Sequence, residues 1–242
     1  MVTRMTSEST QVSETKDTSA VGYATNALRQ GIKDNLFAPG QRLVINDICQ
    51  HLGISAGPVR EAIRRLTGEG LVVFEPNKGA SVRRFDAADI EEIFEVRIAI
   101  ESRAAELAAQ RIGNGDNRAR LTALIGDGAA AVETGGAVYI DHNARLHRLI
   151  YEIAGNRRLA EIAEGLTLPL YRMQLHALME RPAAEISHRE HLEIVDAILA
   201  GKADDARLAM RRHVAQSGVA MADSVQRRSS PTRPGARRRR AP

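Results

Sequence analysis

One stretch of this chain departs from helical periodicity, and it limits what the N-terminal part can fold into. Leu71 to Phe74 and Ser81 to Phe85 are β-branched and apolar runs. Glu75-Pro76-Asn77-Lys78-Gly79-Ala80 joins them, which predicts a hairpin with glycine at a positive φ. Upstream, Ala24, Ala27, Leu28, Ile32 and Leu36 recur at three- and four-residue steps and mark a helix from about Val21 to Leu36. Ala38-Pro39-Gly40 ends it. A second, short helix covers about Asn46 to Leu52. Gly53 breaks it, Ser55 is placed to cap a third helix, and Pro58 falls in that helix's first turn, where a missing N–H costs nothing. Val59, Ala62, Ile63 and Leu66 form its apolar face, and Gly68 and Gly70 end it. Three helices and a hairpin predict a winged helix-turn-helix over residues 20–85.

Charge sorts along the same boundary. The 242 residues carry a net charge of +4. Residues 1–19 contribute −1, residues 20–85 +4, residues 86–224 −6 and residues 225–242 +7. One part of the chain therefore faces a polyanion. The absence of Trp, with only 4 Tyr and 4 Phe, disfavours stacking on unpaired bases and points to duplex DNA. Residues 1–19 and 225–242, the latter with Arg237-Arg238-Arg239-Arg240, read as a disordered arm and a disordered basic tail. No apolar run reaches about 18 residues, so no membrane partner is expected. The Ser/Thr-rich start, Met1 to Ala20, lacks the apolar core of a secretory signal. Cys49, the single cysteine, suits a reducing cytoplasm and is expected in the small winged core.

The third helix leaves Arg60, Arg64 and Arg65 outside its apolar face. Arg60 lies near the N-terminal end, the end that enters a major groove first, and an Arg there can grip a guanine edge or a phosphate. Lys78 at the hairpin tip and Arg42 before the second helix are placed to meet phosphates. Each of these also suits a plain solvated surface charge.

After Phe85 the periodicity predicts a six-helix bundle over residues 86–224, with helices at about 87–112, 117–134, 138–155, 157–180, 184–201 and 203–224. Pro169 is expected to kink the fourth. The chain is thus mainly α. Three of these helices each turn one histidine inward: His147 on the face of Ile140, Asn143 and Ile150; His191 beside Ile194, Val195 and Ile198; His213 after Ala206, Ala209 and Met210. Imidazoles from facing helices can converge on a divalent transition metal, or hydrogen-bond one another or a ligand. Arg97 falls on the apolar stripe of Ile90, Ile93, Phe94, Ile100 and Ala104. It either pairs with Glu101 one turn on, or clamps a carboxylate ligand. Tyr151 and Arg172 are further candidates for an effector pocket. His51 and His188 are expected at the surface.

Residues 39–82 resemble the winged domain of GntR-type bacterial repressors. The matching features are Ser55, Pro58-Val59-Arg60-Glu61-Ala62, Glu69-Gly70-Leu71 and Asn77-Lys78-Gly79. The resemblance implies DNA contacts from Arg42, Ser55, Gly57, Arg60, Arg64, Lys78 and Gly79. The position after Ser55, usually a DNA-contacting Arg in the family, is Ala56 here, and Lys78 stands where Arg is more usual.

Residues 86–217 resemble the FCD effector domain of the FadR branch, through Val96-Arg97, Glu101, Leu146-His147, Gly155-Asn156, Glu190-His191 and Met210 before His213. Six helices resemble its shorter, VanR-like subgroup. The resemblance implies a divalent metal, zinc or similar, on His147, His191 and His213, with Asn143 where the family has Asp. It further implies a small carboxylate effector on Arg97 and a homodimer on a palindromic operator. A ligand-responsive, non-enzymatic cytoplasmic regulator that acts as a repressor is the expectation. A metal-dependent enzyme fused to a DNA-binding module and an effector-independent architectural DNA protein are the alternatives.

Overall fold

The computed structural model describes residues 19–34, 36–167 and 181–229. The chain divides between Arg83 and Arg84 into two compact units. The first holds α1 (Ala20–Lys33), α2 (Ile45–Leu52), α3 (Ala56–Gly68), β1 (Val72–Glu75) and β2 (Gly79–Val82). Ser19 caps α1 by accepting from the Gly22 N–H at 3.0 Å. Gly53 ends α2 in the left-handed region, with φ 68°. The core packs α1 against α3, with Leu28, Val59, Ala62 and Leu66 fully or almost fully buried. The Arg29 guanidinium donates to both oxygens of Glu69, at 3.0 and 2.6 Å, and ties α1 to the end of α3.

Two local expectations shift. The first helix stops at Lys33, and Leu36 is exposed, because Phe37 folds back over Gly31, where a Cβ would come within 2.7 Å of the ring. The hairpin is also tighter than its six-residue linker suggested. Glu75 pairs with Gly79, leaving Pro76-Asn77-Lys78 in the turn, and Asn77 as well as Gly79 takes a positive φ. The second strand ends at Val82, and Arg42 adds a single antiparallel bridge to Ser81.

The second unit holds α4 (Ala87–Arg111), α5 (Asn117–Gly126), α6 (Gly128–Thr134), α7 (Gly136–Ala154), α8 (Arg157–Thr167), α9 (Arg181–Leu199) and α10 (Ala203–Ser229). Asp86 and Asp89 form a reciprocal capping box at the start of α4. That helix packs on α10, α7 and α9 and buries Ile90, Phe94, Arg97, Glu101, Ala104 and Ala108 along one stripe. The six helices expected here become seven among the described residues. The segment predicted as one helix over 117–134 breaks at Asp127, between Gly126 and Gly128, two poor helix formers. Gly128 also lies against the His188 and His142 rings, so the break lets backbone approach side chains closely. The last helix continues to Ser229, five residues into the expected tail. Pro169, Arg172, residues 1–18 and the arginine run lie outside the described residues. No helix among the described residues is long and apolar enough to cross a membrane.

Leu66→Ala removes a fully buried side chain from the winged core. We expect it to cost that unit about 2–5 kcal/mol, read as faster amide hydrogen exchange in α1 and α3. Unchanged exchange there contradicts this packing.

Candidate functional site

The third helix of the winged unit presents its polar side beside the hairpin. Arg42, Arg60, Arg64 and Gly79 line one open cleft of about 790 Å³, together with exposed Phe74. Arg64 is paired with Glu61 at 2.7 Å. Lys78 is paired with Glu75 at 2.7 Å across the turn, and that carboxylate, through a hydrogen bond and its charge, raises the ammonium pKa. Among the described residues no acid pairs with Arg60. Ser55 occupies the cap position of α3 without making the capping hydrogen bond expected of it, and Gly57 faces open space. Cys49 is half-buried in α2.

The helical unit brings the three inward histidines together. Ligand nitrogens of His147, His191 and His213 all lie within 4.8 Å of one another, and all three side chains are buried. The rings come from α7, α9 and α10. His191 Nε2 and His213 Nε2 are 3.1 Å apart. Two of the outward nitrogens are held by carboxylates: His147 Nδ1 by Glu101 Oε2 and His213 Nδ1 by Glu190 Oε2, each at 2.7 Å. A carboxylate on Nδ1 draws the proton there and leaves Nε2 as a lone-pair donor facing the cluster. His191 Nδ1 is buried without a hydrogen-bond partner.

Glu101 is the hinge of this arrangement. Its side chain is 1% exposed, and its other oxygen accepts from Arg97 Nε at 2.7 Å. Burial alone would raise its pKa. The Arg97 charge, then His147, and the hydrogen bonds from both outweigh burial and hold the carboxyl well below the usual range. The i,i+4 pair that the sequence left open is therefore present. It does not exhaust Arg97, whose Nη1 is buried without a partner while the guanidinium stacks 4.5 Å above Phe94. Burial first, and then neighbouring histidines, lower the pKa of His191; burial lowers that of His213 against the opposing pull of Glu190. Both shifts favour the neutral imidazole, the form a metal ligand requires.

A cavity of about 160 Å³ opens beside the cluster. Arg97, Asn143, His147, Glu190 and His213 line it, with Ser187 and Gln216. Asn143 sits one turn before His147 on α7 and is buried. Tyr151 is buried with its ring 6.4 Å from His147, but it is not part of the cavity wall. Burial, and then the Glu101 charge, raise its hydroxyl pKa well above the usual value. Arg172 lies outside the described residues. His51 is exposed, as expected, but His188 is not a surface residue: it is half-buried, with its Nδ1 enclosed. Its helix turns that side towards α6, which the single-helix expectation for 117–134 had hidden.

Sequence reasoning missed the roles of Glu190 and Ser187. Glu190 precedes His191 in the chain, yet its carboxylate crosses to His213 on the next helix, a contact that spacing within α9 does not announce.

Residues 92–216 match the FCD domain family, and residues 23–82 match the bacterial regulatory proteins of the gntR family. The chain belongs to the GntR family. As a GntR-family protein with an FCD domain it is a DNA-binding transcriptional regulator and not an enzyme, which sets aside the enzymatic alternative. It is 32% identical over 183 residues to the HTH-type transcriptional regulator McbR of Escherichia coli, covering 74% of this chain and 81% of that one. The solved E. coli McbR/YncC structure has the same fold, with a TM-score of 0.70 at 22% identity over 85% of this chain and 98% of that one. An HTH-type regulator of Agrobacterium vitis, from the TAR-I ttuE-ttuC' intergenic region, is 39% identical over 112 residues. That match spans 46% of this chain and 64% of the relative, less than two thirds of its length. The metal-free FCD domain of TM0439 shares the fold at a TM-score of 0.50 and 20% identity, over 60% of this chain and 99% of that one.

Glu101→Gln in this GntR-family protein leaves Arg97 buried without its counter-charge. We expect a loss of about 3–5 kcal/mol in denaturant unfolding of the metal-stripped protein. A loss under about 1 kcal/mol, the scale of an exposed pair, would contradict a structural role for this carboxylate.

Proposed function

We propose that this regulator is a repressor whose helical unit binds a small carboxylate metabolite together with a divalent transition metal, zinc or similar. The observation that carries the reading is the convergence of three buried imidazoles from three helices, two of them oriented by carboxylates. His147, His191 and His213 are the ligands, and the Asn143 side chain, on the same cavity, is the fourth protein candidate. Asn brings an oxygen without charge, so the bound ion keeps more of its positive charge than it would beside an Asp. Such an ion supplies an electrophilic point for a carboxylate at the cavity. Arg97, with Nη1 still lacking a partner, supplies a donor from the same wall. Tyr151 and Arg172 stand behind these as supporting candidates.

The winged unit reads duplex operator DNA through Arg42, Arg60, Arg64 and Lys78, with Ser55, Gly57 and Gly79 giving the backbone close approach. Lys78 and Arg64 exchange their present carboxylate partners for phosphate or base. Ala56 removes one contact, which places more of the sequence readout on Arg60. A homodimer on a palindrome is the assembly, and the cytoplasm the compartment. The effector acts by binding the DNA-bound and DNA-free arrangements with different affinity, since equal affinity would shift nothing.

Arg60→Ala is expected to weaken specific operator binding by about 1–3 kcal/mol in anisotropy titrations at physiological salt, with non-specific binding little changed. Equal loss on specific and random duplex reduces Arg60 to a phosphate contact. For the sensing half, a thermal-shift screen of small acids is expected to find stabilising ligands that lose their effect with chelator. His147→Ala should lose the same response while still binding operator. Acid-induced shifts that survive both chelator and His147→Ala overturn the metal-assisted reading.

A further inference from the structure

The cavity beside the histidine cluster changes character along its length, and the change bears on which acids it suits. The short turn between α9 and α10 makes them antiparallel neighbours, and Glu190 on one meets His213 on the other at 2.7 Å. Moving away from that contact, α9 gives the wall Ile186 and then Ala183, one and two turns on. On α10, Ala220 and Met221 follow two turns beyond His213. The wall therefore runs from charged to apolar over about 10 Å.

The charged end is the enclosed one. Arg97, Asn143, His147 and His213 are all buried there, and Arg97 Nη1 still lacks a hydrogen-bond partner. The apolar end meets solvent: Ile186 is 53% exposed, a surface that the tail of a ligand would cover.

The charge at the enclosed end suits one more anion. Among the described residues, the two charges of the proposed ion and that of Arg97 exceed the carboxylates of Glu101 and Glu190 by one, and Asn143 adds none. One carboxylate balances the site. A second would lie either against Glu190 or among the apolar side chains, and each place disfavours it. The size is limiting as well. The cavity is about 160 Å³. One of about 150 Å³ holds benzene, which sets the capacity here at about six to eight non-hydrogen atoms.

We infer that the effector is an aliphatic monocarboxylate of about four to six carbons. Its carboxylate meets Arg97 at the enclosed end, and its tail lies between α9 and α10, over Ile186, Ala183, Ala220 and Met221. The inference rests on the proposed function, which supplies the acid site, and adds which acids that site selects.

Calorimetric titration of the full chain, with zinc present, against acetate, butanoate, pentanoate and glutarate tests it. Affinity is expected to rise about fourfold with each added methylene from acetate to pentanoate. Pentanoate should bind at least about tenfold more tightly than glutarate, which has the same carbon chain and a second carboxylate. Ile186→Asn, at an exposed position, should flatten the dependence on chain length. Glutarate binding as tightly as pentanoate, equal affinity for acetate and pentanoate, or a chain-length dependence that survives Ile186→Asn overturns the inference and leaves the acid site of the proposed function standing. No binding of any of the four acids overturns both.

Discussion

A buried carboxylate between a guanidinium and an imidazole organises the helical unit. Glu101 cannot ionise in an apolar interior unless its charge is answered, and Arg97 and His147 answer it at 2.7 Å each. The pair fixes α4 against α7, because His147 is reached across the helix boundary and Arg97 along the same helix. Glu190 repeats the device on the other side of the cluster, joining α9 to α10 through His213. Four helices are thus placed by two carboxylate–imidazole contacts, and the nitrogens that remain face one another. A purely apolar core would pack these helices at least as stably. Polar groups in this position make more sense as the support of a binding site than as a source of stability.

The winged unit was legible because its signals are local. Gly53, Pro58, and the Pro76–Gly79 turn each constrain the backbone within a few residues, and the fold follows from their order. Its misreadings were local too: Leu36 matched the helical stripe, but the Phe37 ring covering Gly31 turned the chain away first. The histidine cluster was half legible. A period of 3.6 turns His147, His191 and His213 inward, so their meeting was predictable. Which nitrogen each ring offers depends on Glu101 and Glu190, and those contacts cross between helices. The position of His188 was lost for a related reason. It faces α6, and α6 exists only because Gly126-Asp127-Gly128 breaks what periodicity reads as a single helix.

Asn143 and Ala56 mark where this chain departs from the pattern of its family, and they act on opposite units in a similar way. Each removes a charged group where one is usual. On the proposed reading Ala56 leaves sequence reading to fewer cations, of which Arg64 and Lys78 are held by carboxylates while Arg42 and Arg60 are not, among the described residues. Asn143 leaves the cluster with neutral ligands, so an ion there would present more of its charge to a carboxylate ligand. Asn143 lies buried on the inward face of α7 and Ala56 is the first residue of α3, so each sits where a proposed contact would be made.

The most direct measurement is a zinc-edge anomalous difference map from crystals of the zinc-loaded protein. A peak about 2.0–2.1 Å from one nitrogen each of His147, His191 and His213 is the expected result. A fully loaded crystal with no peak at that position, and with the His191–His213 contact intact, would mean that the three rings serve one another and not a metal.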